Sequence, residues 1–126
     1  MPTLRLVATP TRRPIIELCI NGSNYRFLID TGATHTILSP VLIPTLSNSQ
    51  KATSRILTAH DFGGITHGEM LDVRFNFVGV YITSVVFHLK AEEIFDQTHG
   101  LIGQDILQQF KSVTFDNVRR VVRFEV

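Results

Sequence analysis

Apolar residues recur at every second position through most of this chain, a spacing that fits a strand with one dry and one wet face and not a helix. Ile16, Leu18 and Ile20 alternate with Glu17 and Cys19; Tyr25, Phe27 and Ile29 alternate with Arg26, Leu28 and Asp30. Leu71, Val73, Phe75 and Phe77 alternate with Asp72, Arg74 and Asn76 in the same way. The chain is therefore expected to be all-β. Asn21-Gly22-Ser23-Asn24 separates the first two runs, and Asn-Gly readily supplies the positive φ of a tight turn. This reads as a hairpin whose second strand runs straight into Asp30.

Further along, Arg55 to Thr58 and Glu69 to Phe77 are expected strands flanking Ala59 to Gly68, a segment holding Gly63, Gly64 and Gly68. Val80 to Leu89, set off by Gly79, is another strand, and its β-branched content predicts burial on both faces. One helix is expected, Gln104 to Phe110, with Ile106, Leu107 and Phe110 on one stripe and Asp105 at the positive end of the dipole. Val113 to Phe115 and Val118 to Phe124 flank Asp116-Asn117 as a closing hairpin, and Ser39 to Gln50 reads as a loop, with a short strand or turn at Ile37 to Leu42. With no internal repeat or linker, the expected organisation is an N-terminal arm, 1–13, and a single domain, 14–126.

At 126 residues, such a domain buries roughly two-thirds of the surface its unfolded chain exposes, so it needs no disulfide or metal staple. Twelve Lys and Arg balance eleven Asp and Glu, which removes the electrostatic footprint of a nucleic-acid binder; Arg119, Arg120 and Arg123 read as a solvated strand face. Cys19 is the single cysteine, expected as a buried strand thiol, and it excludes internal disulfides and cysteine-based zinc sites. His35, His60, His67, His88 and His99 fit no local zinc spacing and are expected at the surface or in the glycine-rich hairpin, so no metal is assigned. The uncharged run from Thr31 to Gln50 is broken by Gly32, Pro40 and Pro44, and no signal-peptide core precedes Arg12. The expectation is a soluble chain with no membrane segment, of undetermined location.

Asp30-Thr31-Gly32 carries the chemistry. An acid at the end of the apolar strand Phe27-Leu28-Ile29 is held on rigid backbone in a partly desolvated place, and Gly32 lets the chain turn sharply and another backbone come close. By chance, Asp followed by Thr or Ser and then Gly arises in a chain of this length on the order of a few per cent of the time. The surrounding residues Phe27-Leu28-Ile29-Asp30-Thr31-Gly32-Ala33-Thr34 resemble the active-site loop of the retroviral-type aspartic proteases, the retropepsins. A second element, Gly100-Leu101-Ile102-Gly103-Gln104-Asp105-Ile106-Leu107, is similar to the hydrophobic-hydrophobic-Gly segment that leads into that family's one helix. Between them, the Gly63-Gly64 hairpin stands where the family carries its flap.

The resemblance implies a closed β-barrel or sandwich with one short helix near the C-terminus, a flap hairpin and a homodimeric assembly. It departs from the viral pattern in having Gln104 where Arg is common, a longer segment between Asp30 and the flap, and a longer C-terminal hairpin after Lys111. These features are similar to those of cellular, bacterial or retrotransposon members.

Hydrolysing an amide with water needs a carboxylate to take a proton and a carboxylic acid to polarise the carbonyl. Asp61, Asp72, Asp96, Asp105 and Asp116 all lack a following Thr/Ser-Gly, so the second acid is expected from a second copy of the chain. Two carboxylates so close share one proton and titrate as a pair. The reading implied is an aspartic endopeptidase acting on a polypeptide, without cofactor. Asp30, Thr31 and Gly32 are its catalytic loop, with Thr31 bonding across the dimer. Arg26, Leu28, Ala33, Phe62, Gly63, Gly64, Ile65, Val80 and Ile82 are its expected substrate-binding positions. Two other readings stand beside it: the same fold kept as a dimerisation or peptide-binding module without turnover, and an unrelated small ligand-binding barrel in which Asp30-Thr31-Gly32 is a turn.

Overall fold

The computed structural model describes residues 3–8, 12–39, 42, 55–59, 66–89 and 98–126, and for 55–59, 66–72 and 80–89 it describes the backbone alone. Ten strands and one helix follow in order: β1 (Thr3–Arg5), β2 (Ile15–Ile20), β3 (Ser23–Ile29), β4 (Ile37–Leu38), β5 (Arg55–Ala59), β6 (Thr66–Phe77), β7 (Val80–Leu89), β8 (Gly100–Ile102), α1 (Gln104–Leu107), β9 (Ser112–Asp116) and β10 (Val121–Glu125). The larger sheet runs β2-β3-β8-β4-β7-β6-β5, and a further bridge from Cys19 to Asn76 joins β2 to β6. Six strands thus close on themselves, and among the described residues β5 pairs only with β6, outside the ring. The smaller sheet runs β1-β10-β9.

The turns follow from local chemistry. Asn21 (φ 51°) and Gly22 (φ 86°) form the two-residue turn between β2 and β3, whose positive φ values match the strand twist. Ser23 and Asn24, expected in that turn, are already paired with Ile20 and Cys19. Val78 (φ 49°) and Gly79 (φ 86°) repeat the geometry between β6 and β7, with the Asn76 side chain accepting from the Gly79 N–H at 2.7 Å. A β-branched residue in that region is strained, and nothing in the local sequence signals it. In the last hairpin, the Asp116 carboxylate accepts from the N–H groups of Val118 and Arg119, so the turn widens and β10 starts at Val121, not Val118. Arg119 and Arg123 converge on that same carboxylate at 3.2 and 3.6 Å. Only Arg123 of the three arginines therefore stands on a strand.

The helix is shorter than its apolar stripe implies. Beyond Leu107 the bonds tighten to three-residue turns, Gln109 N–H to Ile106 and Phe110 N–H to Leu107. Phe110 is still buried, its ring 5.1 Å from Phe77 and 4.9 Å from Phe124, while Phe77 lies 5.0 Å from Phe124. Phe27 meets Phe75 edge-on at 5.6 Å. These rings sit in the core beside aliphatic residues such as Ile16, Leu18 and Ile102, each ring contributing about 1.5–3 kcal/mol through burial. Cys19 lies on β2 as expected but is half-buried. The arm is tied down: Thr3, Leu4 and Arg5 pair with Arg123, Val122 and Val121, and Leu6 enters the core. No helix among the described residues is long and apolar enough to cross a membrane.

Gly103 sits where a side chain has no room. A Cβ there would lie 2.6 Å from the carbonyl carbon and oxygen of His35 and 2.9 Å from the Ala33 oxygen, all main-chain atoms that no rotamer change can move. Gly103→Ala is expected to lower the unfolding free energy by at least about 2 kcal/mol. The urea midpoint reads this directly, and a variant as stable as the wild type contradicts the close packing.

Candidate active site

Asp30 leaves β3 but is still bound to the barrel, its N–H donating to the Ile102 oxygen at 3.0 Å. The short strand β8 lies between β3 and β4: Leu28 and Ile29 pair in parallel with Leu101 and Ile102, while Ile37 and Leu38 pair antiparallel with Leu101 and Gly100. Residues 30–36 thus form a strap whose two stems are bonded to one strand. Within it, the Gly32 N–H donates to Asp30 Oδ1 at 3.0 Å and the Ala33 N–H to the Asp30 carbonyl at 3.2 Å.

The start of α1 holds the strap from behind. The Gln104 N–H donates to the Ala33 oxygen at 2.8 Å, the Asp105 N–H to the Thr34 oxygen at 3.2 Å, and Gln104 Nε2 to the Thr31 oxygen at 2.8 Å. Asp105 Oδ1 accepts from the Thr36 hydroxyl (2.7 Å), the Thr36 N–H (2.9 Å) and the Ile106 N–H (2.9 Å). Thr36 Oγ1 in turn accepts from the Gly103 N–H at 3.0 Å. A helix-start acid therefore does more here than complement a dipole: it closes a partly buried network across the strap.

Thr31 and Gly32 are exposed and Asp30 half-buried, whereas Ala33 and Thr36 are buried beneath them. Arg26 and Leu28 stand on the same face of β3 as Asp30, four and two residues back. Leu28 is half-buried, and Arg26 is exposed, with Nε 3.6 Å from a Glu17 carboxylate oxygen. Phe62, Gly63, Gly64 and Ile65 lie outside the described residues. Val80 leaves the turn at Val78-Gly79, and Ile82 follows opposite Phe75. Since Asn76 pairs with Cys19 next to the Asn21-Gly22 turn, this register groups both with the start of β3 and not with Asp30 at its far end.

His99 was expected as a surface or hairpin histidine. Instead it joins β3 to the strap's return strand: its Nδ1 accepts from the Arg26 N–H at 3.1 Å, its own N–H donates to the Arg26 oxygen at 2.8 Å, and its carbonyl accepts from the Ser39 N–H at 2.8 Å. The ring meets Tyr25 edge-on at 5.1 Å. An accepting Nδ1 places the proton on Nε2 of a neutral ring. Only the position of His99, directly before Gly100-Leu101, marks it in the sequence. No group of three His, Cys, Asp or Glu side chains that could hold a metal occurs among the described residues.

A family model described as retroviral aspartyl protease matches residues 10–113, most of the chain. The chain belongs to the retroviral aspartyl protease family. Among solved structures, its fold is similar to that of EIAV protease complexed with the inhibitor HBY-793. The TM-score is 0.61 at 20% identity, covering 82% of this chain and 93% of that one. A search of curated proteins finds no match. As a member of the retroviral aspartyl protease family, the chain carries its single Asp-Thr-Gly on the strap described above.

The surroundings of His99 make stability depend on pH. Burial, and after it the Arg26 guanidinium, hold the imidazole below its ordinary value of 6.5. The unfolded chain therefore takes up a proton where the folded one does not, so the His99 contribution is full above pH 6.5 and is lost as pH falls through the folded value. Thermal midpoints measured from pH 8 to 5 are expected to drop below about pH 6.5 in the wild type and to drop less in His99→Gln. Parallel profiles contradict this role.

Proposed function

We propose that this chain is an aspartic endopeptidase acting as a symmetric homodimer on extended polypeptides. One observation carries the reading: in a family of proteases, the single Asp-Thr-Gly stands on a strap anchored at both stems, with Asp30 half-buried and a main-chain N–H already on its Oδ1. Such a group is held rigidly enough for catalysis and exposed enough to meet a second copy of itself.

In the proposed dimer the two Asp30 carboxyls face each other and share one proton, since both cannot ionise cheaply at that separation. The ionised one removes a proton from a bound water as its oxygen attacks the scissile carbonyl carbon. The protonated one donates to the carbonyl oxygen, giving a neutral tetrahedral diol. Collapse breaks the C–N bond as the protonated carboxyl passes its proton to the leaving nitrogen and the other carboxylate takes one from a diol hydroxyl, so the pair again holds a single proton. Gly32 N–H orients Asp30 by occupying Oδ1. Thr31, exposed on the strap, is assigned to hold the partner's loop.

Arg26 and Leu28, on the Asp30 face of β3, are assigned to the substrate cleft. The β5–β6 hairpin supports the flap: among the described residues β5 pairs only with β6, outside the closed ring, and their described pairing runs to Ala59 and Thr66, which flank in sequence the segment with Phe62, Gly63, Gly64 and Ile65. Closing over a peptide, it would add main-chain hydrogen bonds and exclude water. Thr31 also borders a pocket of about 360 Å³ that reaches Arg12 of the arm and Phe115 of β9. The strap and the small sheet therefore share one continuous surface for a partner.

The test is cleavage of a mixed peptide library by the wild type, with and without pepstatin, beside Asp30→Asn, with the solution mass measured in parallel. Asp30→Asn is expected to lose roughly 10²- to 10⁴-fold in rate while remaining folded and dimeric. Cleavage that persists in the variant defeats the proposal. A dimer that cleaves nothing supports the non-catalytic module instead.

A further inference from the structure

We propose that Gln104 is a positioning residue for Asp30, acting through the peptide unit that joins Thr31 to Gly32; the inference rests on the protease reading above. Gln104 Nε2 donates to the Thr31 carbonyl oxygen at 2.8 Å. The N–H of that same peptide unit belongs to Gly32 and donates to Asp30 Oδ1 at 3.0 Å. One planar amide thus has a donor on its oxygen and the carboxylate on its hydrogen. Its plane fixes the two contacts relative to each other. Donation to the oxygen polarises the amide and makes its N–H a stronger donor, as in any hydrogen-bonded chain.

The orientation of the Gln104 side chain follows from chemistry: a carbonyl only accepts, so the NH₂ of the amide, and not its oxygen, must face Thr31. A second bond limits its freedom. The Gln104 main-chain N–H donates to the Ala33 oxygen at 2.8 Å, so one residue grips the strap at two carbonyls on either side of Gly32. The site of attachment is itself rigid, because Gly103 is packed against the main chain of Ala33 and His35. Among the described residues, Gln104 is the side chain bonded to the peptide that touches Asp30, while Thr36 and Asp105 hold the strap's return end.

The experiment compares Gln104→Met, which keeps the length and removes the donor, with Gln104→Lys, which restores one. Three readouts are taken: the Gly32 amide proton resonance in ¹⁵N-labelled protein, kcat and KM on a cleaved peptide, and the thermal midpoint. In Gln104→Met the Gly32 proton is expected to move upfield as its bond to Asp30 weakens. Its kcat is expected to fall roughly 3- to 10-fold, with KM and midpoint close to wild type. Gln104→Lys is expected to return the resonance toward wild type and to bring kcat within roughly twofold. An unmoved Gly32 resonance in Gln104→Met overturns the proposal, as does a loss of kcat that tracks a lower midpoint or a higher KM. Should the wild type cleave no peptide, the protease reading fails and the Gly32 resonance alone decides the relay.

Discussion

Everything at the candidate site depends on a three-residue strand being wedged between two others. Gly100, Leu101 and Ile102 lie between β3 and β4, and both stems of the Asp30 strap are bonded to them. The wedge exists because Gly100 and Gly103 lack side chains: a Cβ at either would collide with the main chain of the return segment, at Ile37 or at His35. With the stems fixed, the strap has little freedom left, and the start of α1 takes most of that by bonding the carbonyls of Thr31, Ala33 and Thr34. Catalytic geometry tolerates errors of about 0.5 Å, and in the proposed reading backbone bonds rather than a large local core would hold Asp30 to it.

The remaining architecture supports the wedge from a distance. The ring of β2, β3, β8, β4, β7 and β6 encloses the phenylalanine cluster, so its strands cannot slide without exposing those rings. The smaller sheet closes one side, with β1 pairing to β10 and Leu6 and Val122 entering the core. As pH falls, the His99 clip at Arg26 is strained by protonation, because its Nδ1 must accept while burial and the Arg26 guanidinium hold its ring neutral to below the ordinary value.

Much of this was legible in the residues. Period-two alternation located β2, β3 and β6, β-branched content after Gly79 located β7, and Asn21-Gly22 named its turn because few residues accept two successive positive φ values. Asp30 and Gly100 to Asp105 were legible as motifs, being short and local. What was not legible depends on contacts between distant segments. The bridge from Cys19 to Asn76 that closes the ring leaves no trace in either strand, and neither does the Thr36–Asp105 network. Val80 and Ile82 look like any apolar strand residues, and only the register of β7 separates them from Asp30. The helix ended early because Phe110 reaches the core equally well from a tight turn, so its apolar spacing did not require a helix.

The central claim is that one chain holds half of a catalytic site. Mixing tests it most directly: a fixed amount of wild type is titrated with Asp30→Asn under conditions that allow subunit exchange, and peptide cleavage is followed. A mixed dimer holds one Asp30, so random pairing predicts activity falling to about one half at equal concentrations and about one tenth at tenfold excess. Activity that stays constant at tenfold excess of the variant contradicts the account.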